Sequence, residues 1–91
     1  MPHSISAKKR VRQDEKRRVR NRTIRSRIRT ARHAFDKAVA EANLEAARQQ
    51  FRVCKQLLHR AAGRGPLHRN TAGRTIGRLQ RRLAALEKAA G

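Results

Sequence analysis

Ile24, Ile28, Ala31, Phe35, Ala38 and Ala42 recur at spacings of 4, 3, 4, 3 and 4 residues. Leu44, Ala47, Phe51, Cys54, Leu58 and Ala61 repeat at 3, 4, 3, 4 and 3, and Ala72, Ile76, Leu79, Leu83, Leu86 and Ala90 at 4, 3, 4, 3 and 4. Alternating steps of three and four keep side chains on one face of a helix, so each segment is an amphipathic helix with one apolar stripe. A stripe of this kind is stable only against another, and three of them close together as a bundle. No window alternates at period two, so no strand is expected.

The breaks between the stripes set the topology. The first is tight, with Asn43 between Ala42 and Leu44 as an N-cap. The second is longer: Gly63 and Gly65 can end the helix in a left-handed cap, and Pro66 stops its continuation. Short connections make neighbouring helices antiparallel. The expected fold is all-α, an up-down-up three-helix bundle in a single domain over residues 1–91, with its body at 24–91.

Followed backward from Ile24, the stripe of the first helix meets Arg20 and Asn21, then Arg17, then Gln13 and Asp14, then Arg10. The core face turns polar at once. A first helix from about Ala7 to Ala42 is roughly 54 Å long, against roughly 30 Å for the other two, which leaves about 24 Å without a partner helix. Residues 1–23 are therefore expected to protrude as a basic arm. Its cations face every direction: Lys8, Lys9, Arg10, Arg12, Lys16, Arg17, Arg18, Arg20 and Arg22, followed at its root by Arg25, Arg27 and Arg29.

Composition says what such an arm requires. The chain has 91 residues and a formal charge of +19, with thirteen Lys/Arg against two acids in residues 1–33. That field points to a polyanionic partner. Like charges at i, i+4 repel, and phosphates on several sides relieve the repulsion while releasing counterions. Arginine's prevalence over lysine favours forked phosphate contacts.

A second polar cluster, His68, Arg69, Asn70 and Arg74, stands at the start of the third helix, with Arg78 one turn further on. Helix two runs back along helix one, so this start should lie near Arg25, Ser26 and Arg29, its free N–H groups extending the basic surface. Asn70 or Thr71 is the expected cap there. Gly73 and Gly77, one turn apart inside a helix, permit close approach of a helix or of a sugar-phosphate backbone.

Other chemistries find little footing. Cys54 occupies a stripe position and reads as a small core residue, and a single cysteine leaves no intramolecular disulfide. His3, His33, His59 and His68 lack metal-ligand spacing, and no glycine-rich phosphate loop or nucleophile elbow is present, so neither a metal, a cofactor nor a catalytic residue is expected. No apolar run approaches 18 residues, so no membrane span is expected. An arginine-rich start also suits a transit peptide, but here it runs unbroken into the first helix.

In its motifs the chain resembles the bacterial small-subunit ribosomal protein S-twenty family. "SAKKR" at 6–10, Gln13 with Glu15 and Lys16, Asn21, and "RSRIRT" at 25–30 follow the family's S-A-K-K-R, Q-x-E-K and N-x-x-x-R-S-x-x-R-T pattern. "LHRNTAGR" at 67–74 is similar to its I-H-K-N-x-A-A-R, and Leu79 stands where the family has leucine. The departures are "MPHSI" at 1–5 for the common M-A-N-I-K, and Gly73 and Gly77 for the commoner Ala and Ser.

The resemblance implies a three-helix bundle with a long first helix that binds 16S rRNA directly and early in small-subunit assembly. It implies a place between the RNA's 5′ domain and its long decoding stem near the 3′ end, among other small-subunit components in the cytoplasmic ribosome. It implies no small-molecule substrate and no homo-oligomer. Asn21, Ser26, Thr30, His68 and Asn70 join the cations as RNA-binding candidates on the matching positions.

Two alternatives remain at the level of sequence. A nucleoid-type, non-specific DNA-binding protein suits the charge, but a DNA reader usually shows a helix-turn-helix or a dimer seam, and here all three stripes are used within one bundle. A cationic membrane-active helix needs large apolar residues opposite the charge, and the arm offers only Val11 and Val19.

Overall fold

A computed structural model describes residues 5–90; residues 1–4 and 91, including His3 and most of the divergent start, lie outside the described residues. Helices α1 (Ile5–Ala40), α2 (Leu44–Arg64) and α3 (Arg69–Ala90) follow one another, with no strand among the described residues. The fold is the expected up-down-up bundle with a long protruding first helix.

The turns are closed by local hydrogen bonding. After α1 the N–H of Asn43 donates to the Ala38 carbonyl at 2.9 Å and that of Ala42 to Val39 at 3.0 Å. This pair is a Schellman closure, and Ala42 takes the left-handed position with φ 54°. The helix thus stops at Ala40, two residues before the stripe does, and Ala42 is exposed in the turn. Asn43 then starts α2, its Oδ1 accepting from the Ala46 N–H at 3.1 Å. A left-handed alanine carries a Cβ clash of about 1–2 kcal/mol that glycine lacks, partly offset by glycine's freer unfolded chain. Ala42→Gly is therefore expected to stabilise the fold by about 0.5–1 kcal/mol, raising Tm by a few degrees in thermal circular dichroism.

Gly65 caps α2 with φ 99°, its N–H reaching the Ala61 carbonyl at 3.1 Å, whereas Gly63 lies inside the helix. Pro66 is buried behind it. At α3 the cap differs from the expected Asn70 or Thr71. His68 takes the role: its Nδ1 accepts from the Asn70 N–H at 3.1 Å and its carbonyl from the Ala72 N–H at 3.0 Å. The imidazole ring supplies the acceptor that a shorter asparagine would have supplied two residues later.

The core gathers Ala31, Phe35 and Ala38 of α1, Ala47, Cys54 and Leu58 of α2, and Ala72, Leu79 and Leu83 of α3. Phe35, Leu58 and Cys54 are its largest fully buried side chains. The rings of Phe35 and Phe51 meet at 6.4 Å and 50°. Burial pushes the Cys54 thiol pKa up, which Arg32 opposes and Asp36 reinforces. Two polar clasps tie α3 down. Arg48 of α2 pairs with Glu87 at 3.1 Å, and Arg82 pairs with Asp36 of α1 while its guanidinium sits 5.4 Å from the centre of the Phe35 ring. α2 is the middle helix, packing along both neighbours, while α1 and α3 touch over a short length.

The core reaches back along α1 to Ile28, packed against it as a half-buried residue. Ile24, expected as the first core residue, is half-buried and stands outside the cluster, because at this level the bundle gives way to the loop around Pro66. From residue 8 to residue 20 every side chain is exposed. The outline measures 65 × 21 × 15 Å, and the radius of gyration of 17.7 Å exceeds the roughly 12 Å of a compact chain this long. The excess is α1.

Candidate nucleic-acid interface

The free part of α1 has no apolar face, so nothing in the sequence orients it against the rest of the chain. At 3.6 residues per turn, Arg10, Arg17 and Arg20 continue the face that carries Ile28 and Phe35 further along. Arg18, Arg22 and Arg29 lie to one side of that face, Lys9, Lys16 and Arg27 roughly opposite those three, and Lys8 and Arg12 at the back. These cations are all exposed. Their internal counterions are few: Glu15 approaches Arg18 at 3.7 Å, with both side chains open to solvent, where such a pair contributes little.

Long side chains on one side of α1 flank a shallow open groove of about 880 Å³ that brings together Arg17, Arg18, Asn21, Arg22, Arg25, Ser26 and Arg29, with Asp14 at its edge. Of the sequence candidates in α1, only Asn21 is half-buried. Two have part of their hydrogen bonding already used. The Thr30 hydroxyl donates to the Ser26 carbonyl at 3.0 Å, one turn back. Arg25 Nη2 donates to the Pro66 carbonyl at 3.1 Å, in a part-buried bond that spans 41 residues of sequence.

That bond joins the two candidate clusters. Pro66 lies two residues before His68, so Arg25 ties the loop leading into α3 to the root of the arm, on the side of the groove. His68, Arg69, Asn70, Arg74 and Arg78 are all exposed at or beyond that start. His68 and Asn70 are engaged with each other in the cap, leaving the Asn70 side chain open. Arg25 is thus both a cation of the candidate interface and the link between its two halves.

Sequence reasoning passed over Arg32, which lines a smaller groove of about 320 Å³ with Arg25, Ile28, Arg29, His33 and Asp36. It also passed over Arg52, Lys55 and His59 of α2, spaced three and four residues apart on an exposed face. The signal in both cases was the charge itself, outweighed by the denser run in the arm. Among the described residues no three His, Cys, Asp or Glu gather as a metal site, and no helix is long and apolar enough to cross a membrane.

Comparison with known proteins agrees with this geometry. The family model for ribosomal protein S20 matches residues 2–84. A small ribosomal subunit protein bS20 of Ruegeria sp. is 45% identical over 86 residues, covering 94% of this chain and 99% of its own length. The bS20 of Rhodopirellula baltica is 44% identical over 79 residues, 87% of this chain and 88% of that one. That of Acidithiobacillus ferrooxidans is 41% identical over 90 residues, 99% of each. The match therefore takes in the unpartnered arm as well as the bundle that roots it, and the chain belongs to the ribosomal protein S20 family.

Proposed function

We propose that this chain is a structural constituent of the small ribosomal subunit, without catalytic activity, that binds 16S rRNA directly and helps it to fold and assemble. The observation that carries this reading is the stretch of α1 with cations on every face and no packing partner. A helix laid on one surface needs charge on one side only; a helix set between RNA elements is served by charge on all of them. Residues 1–23 act as the inserted arm and 24–91 as the body that roots it, in one RNA-binding domain.

The two RNA elements are the 5′ domain and the long decoding stem near the 3′ end, reached beside other small-subunit components in the cytoplasmic ribosome. The deep, narrow major groove of A-form RNA excludes side chains, so shape and phosphates dominate recognition. Lys8 through Arg29 hold phosphates, Asn21, Ser26 and Thr30 add neutral contacts at the root, and His68, Arg69, Asn70, Arg74 and Arg78 extend the surface to α3. The chain acts as a single copy.

Footprinting of the purified chain on small-subunit rRNA and on duplex DNA of equal length, at several salt concentrations, tests this. Protection of defined rRNA positions that outlasts DNA protection as salt rises is expected. Equal protection of both nucleic acids would favour the nucleoid-type reading instead.

A further inference from the structure

The Arg48–Glu87 pair at 3.1 Å marks a flank on which antiparallel α2 and α3 meet. Arg52, Lys55 and His59 follow Arg48 at steps of 4, 7 and 11, so the helical repeat carries them along that same flank of α2. On α3 the repeat runs back from Glu87 to Ala84, Gln80, Gly77 and Gly73. The flank faces away from α1, because Arg82, which pairs with Asp36 of α1, lies roughly 180° around α3 from Gly73.

Arg52, Lys55 and His59 are exposed, and none makes an ion pair or side-chain hydrogen bond among the described residues. Two acids share this flank: Glu87 is paired with Arg48, and Glu45, in one groove with Arg52, makes no ion pair among the described residues. The α3 side is low at Gly73, Gly77 and Ala84 for a reason that internal packing does not supply. A Cβ added at Gly73 meets nothing within 4 Å, and one at Gly77 meets only the Arg81 guanidinium at 3.7 Å. Both glycines weaken the helix that holds them, and no contact within the chain requires them. Two free cations and an imidazole beside a helix surface that is low at Gly73, Gly77 and Ala84, with the Gln80 amide and the Arg81 guanidinium as further donors there, suit a phosphate backbone lying close to α3.

We propose that this flank is a second RNA surface, on which Arg52, Lys55 and His59 hold the phosphates of a strand separate from those on α1, its backbone against Gly73, Gly77 and Ala84. The proposal rests on the reading of the chain as an rRNA-binding protein and adds a surface that the arm does not reach.

The test uses the full chain, 16S rRNA and a salt titration of affinity. Arg52→Gln/Lys55→Gln is expected to lower the slope of log K against log salt by roughly 2. Gly73→Gln/Gly77→Gln, which leaves charge untouched, is expected to raise Tm yet weaken binding about tenfold or more, a pairing that a purely structural role for the glycines does not produce. Wild-type affinity and slope in both variants would overturn the proposal. So would unchanged rRNA binding accompanied by loss of binding to polyglutamate, which would assign the flank to an acidic protein. An Arg10→Ala/Arg17→Ala/Arg20→Ala control separates the two levels: if it loses affinity while both flank variants do not, the second surface alone fails. If it too binds as wild type does, the reading of the arm fails.

Discussion

Phe35→Ala is expected to lower Tm by about 15 to 30 °C, leaving the bundle barely folded at 37 °C. Phe35 is fully buried, and it is where all three helices meet. Its ring faces Phe51 of α2 and lies under the guanidinium of Arg82 of α3. Truncation of a buried phenylalanine costs about 3–5 kcal/mol, and the lost aromatic pair and cation contact lie within that figure. A chain of this size commands roughly 5–13 kcal/mol in total, and the arm, which buries almost nothing, contributes little of it. Four of the other eight core positions are alanine, so few neighbours can collapse into the space. Thermal unfolding followed by circular dichroism at 222 nm measures the change. A fall of less than about 5 °C would mean that the bundle is held elsewhere.

Arg10→Ala/Arg17→Ala/Arg20→Ala is expected to leave Tm nearly unchanged and to weaken rRNA binding roughly 100-fold at about 0.15 M salt. The side chains are exposed, and no ion pair or hydrogen bond holds them among the described residues. Each phosphate contact adds close to one unit to the salt slope, so the slope should fall by about 2 to 3. Arg25 is left out deliberately: its bond to the Pro66 carbonyl ties the arm to the α3 loop, so replacing it would alter geometry as well as charge. The two predictions are opposites in kind. Phe35 is expected to act through the fold alone, and the arm arginines through RNA binding alone.

The helices were legible because hydrophobic periodicity is repeated over many residues, which averages out exceptions such as Arg20 on the core face. Asn43 was legible for a different reason, since few residues can both follow one helix and start the next. What escaped the sequence is decided by single contacts. Ala42 carries an apolar side chain in step with its stripe, yet the closure of α1 puts it at positive φ and in solvent. His68 is not a common cap, and only its place just ahead of the Asn70 N–H makes its ring one. Ile24 has the right spacing but falls where the bundle ends. The arm's charge was plain in the sequence, and so was its lack of anything to bury. The tie from Arg25 to Pro66, which fixes arm and α3 start together, depends on a reach across 41 residues that no local pattern encodes.

The central claim is that the arm meets RNA on more than one side, and opposed-face substitution tests it most directly. Lys9→Ala/Lys16→Ala/Arg27→Ala and Arg18→Ala/Arg22→Ala/Arg29→Ala remove three charges each from roughly opposite sides of one helix. The salt slope of 16S rRNA binding is measured for both beside the unaltered chain. Both slopes should fall by about 2 to 3, because each face contributes its own phosphate contacts. A fall in one variant with a wild-type slope in the other would mean that the helix lies on a single RNA surface, contradicting the account.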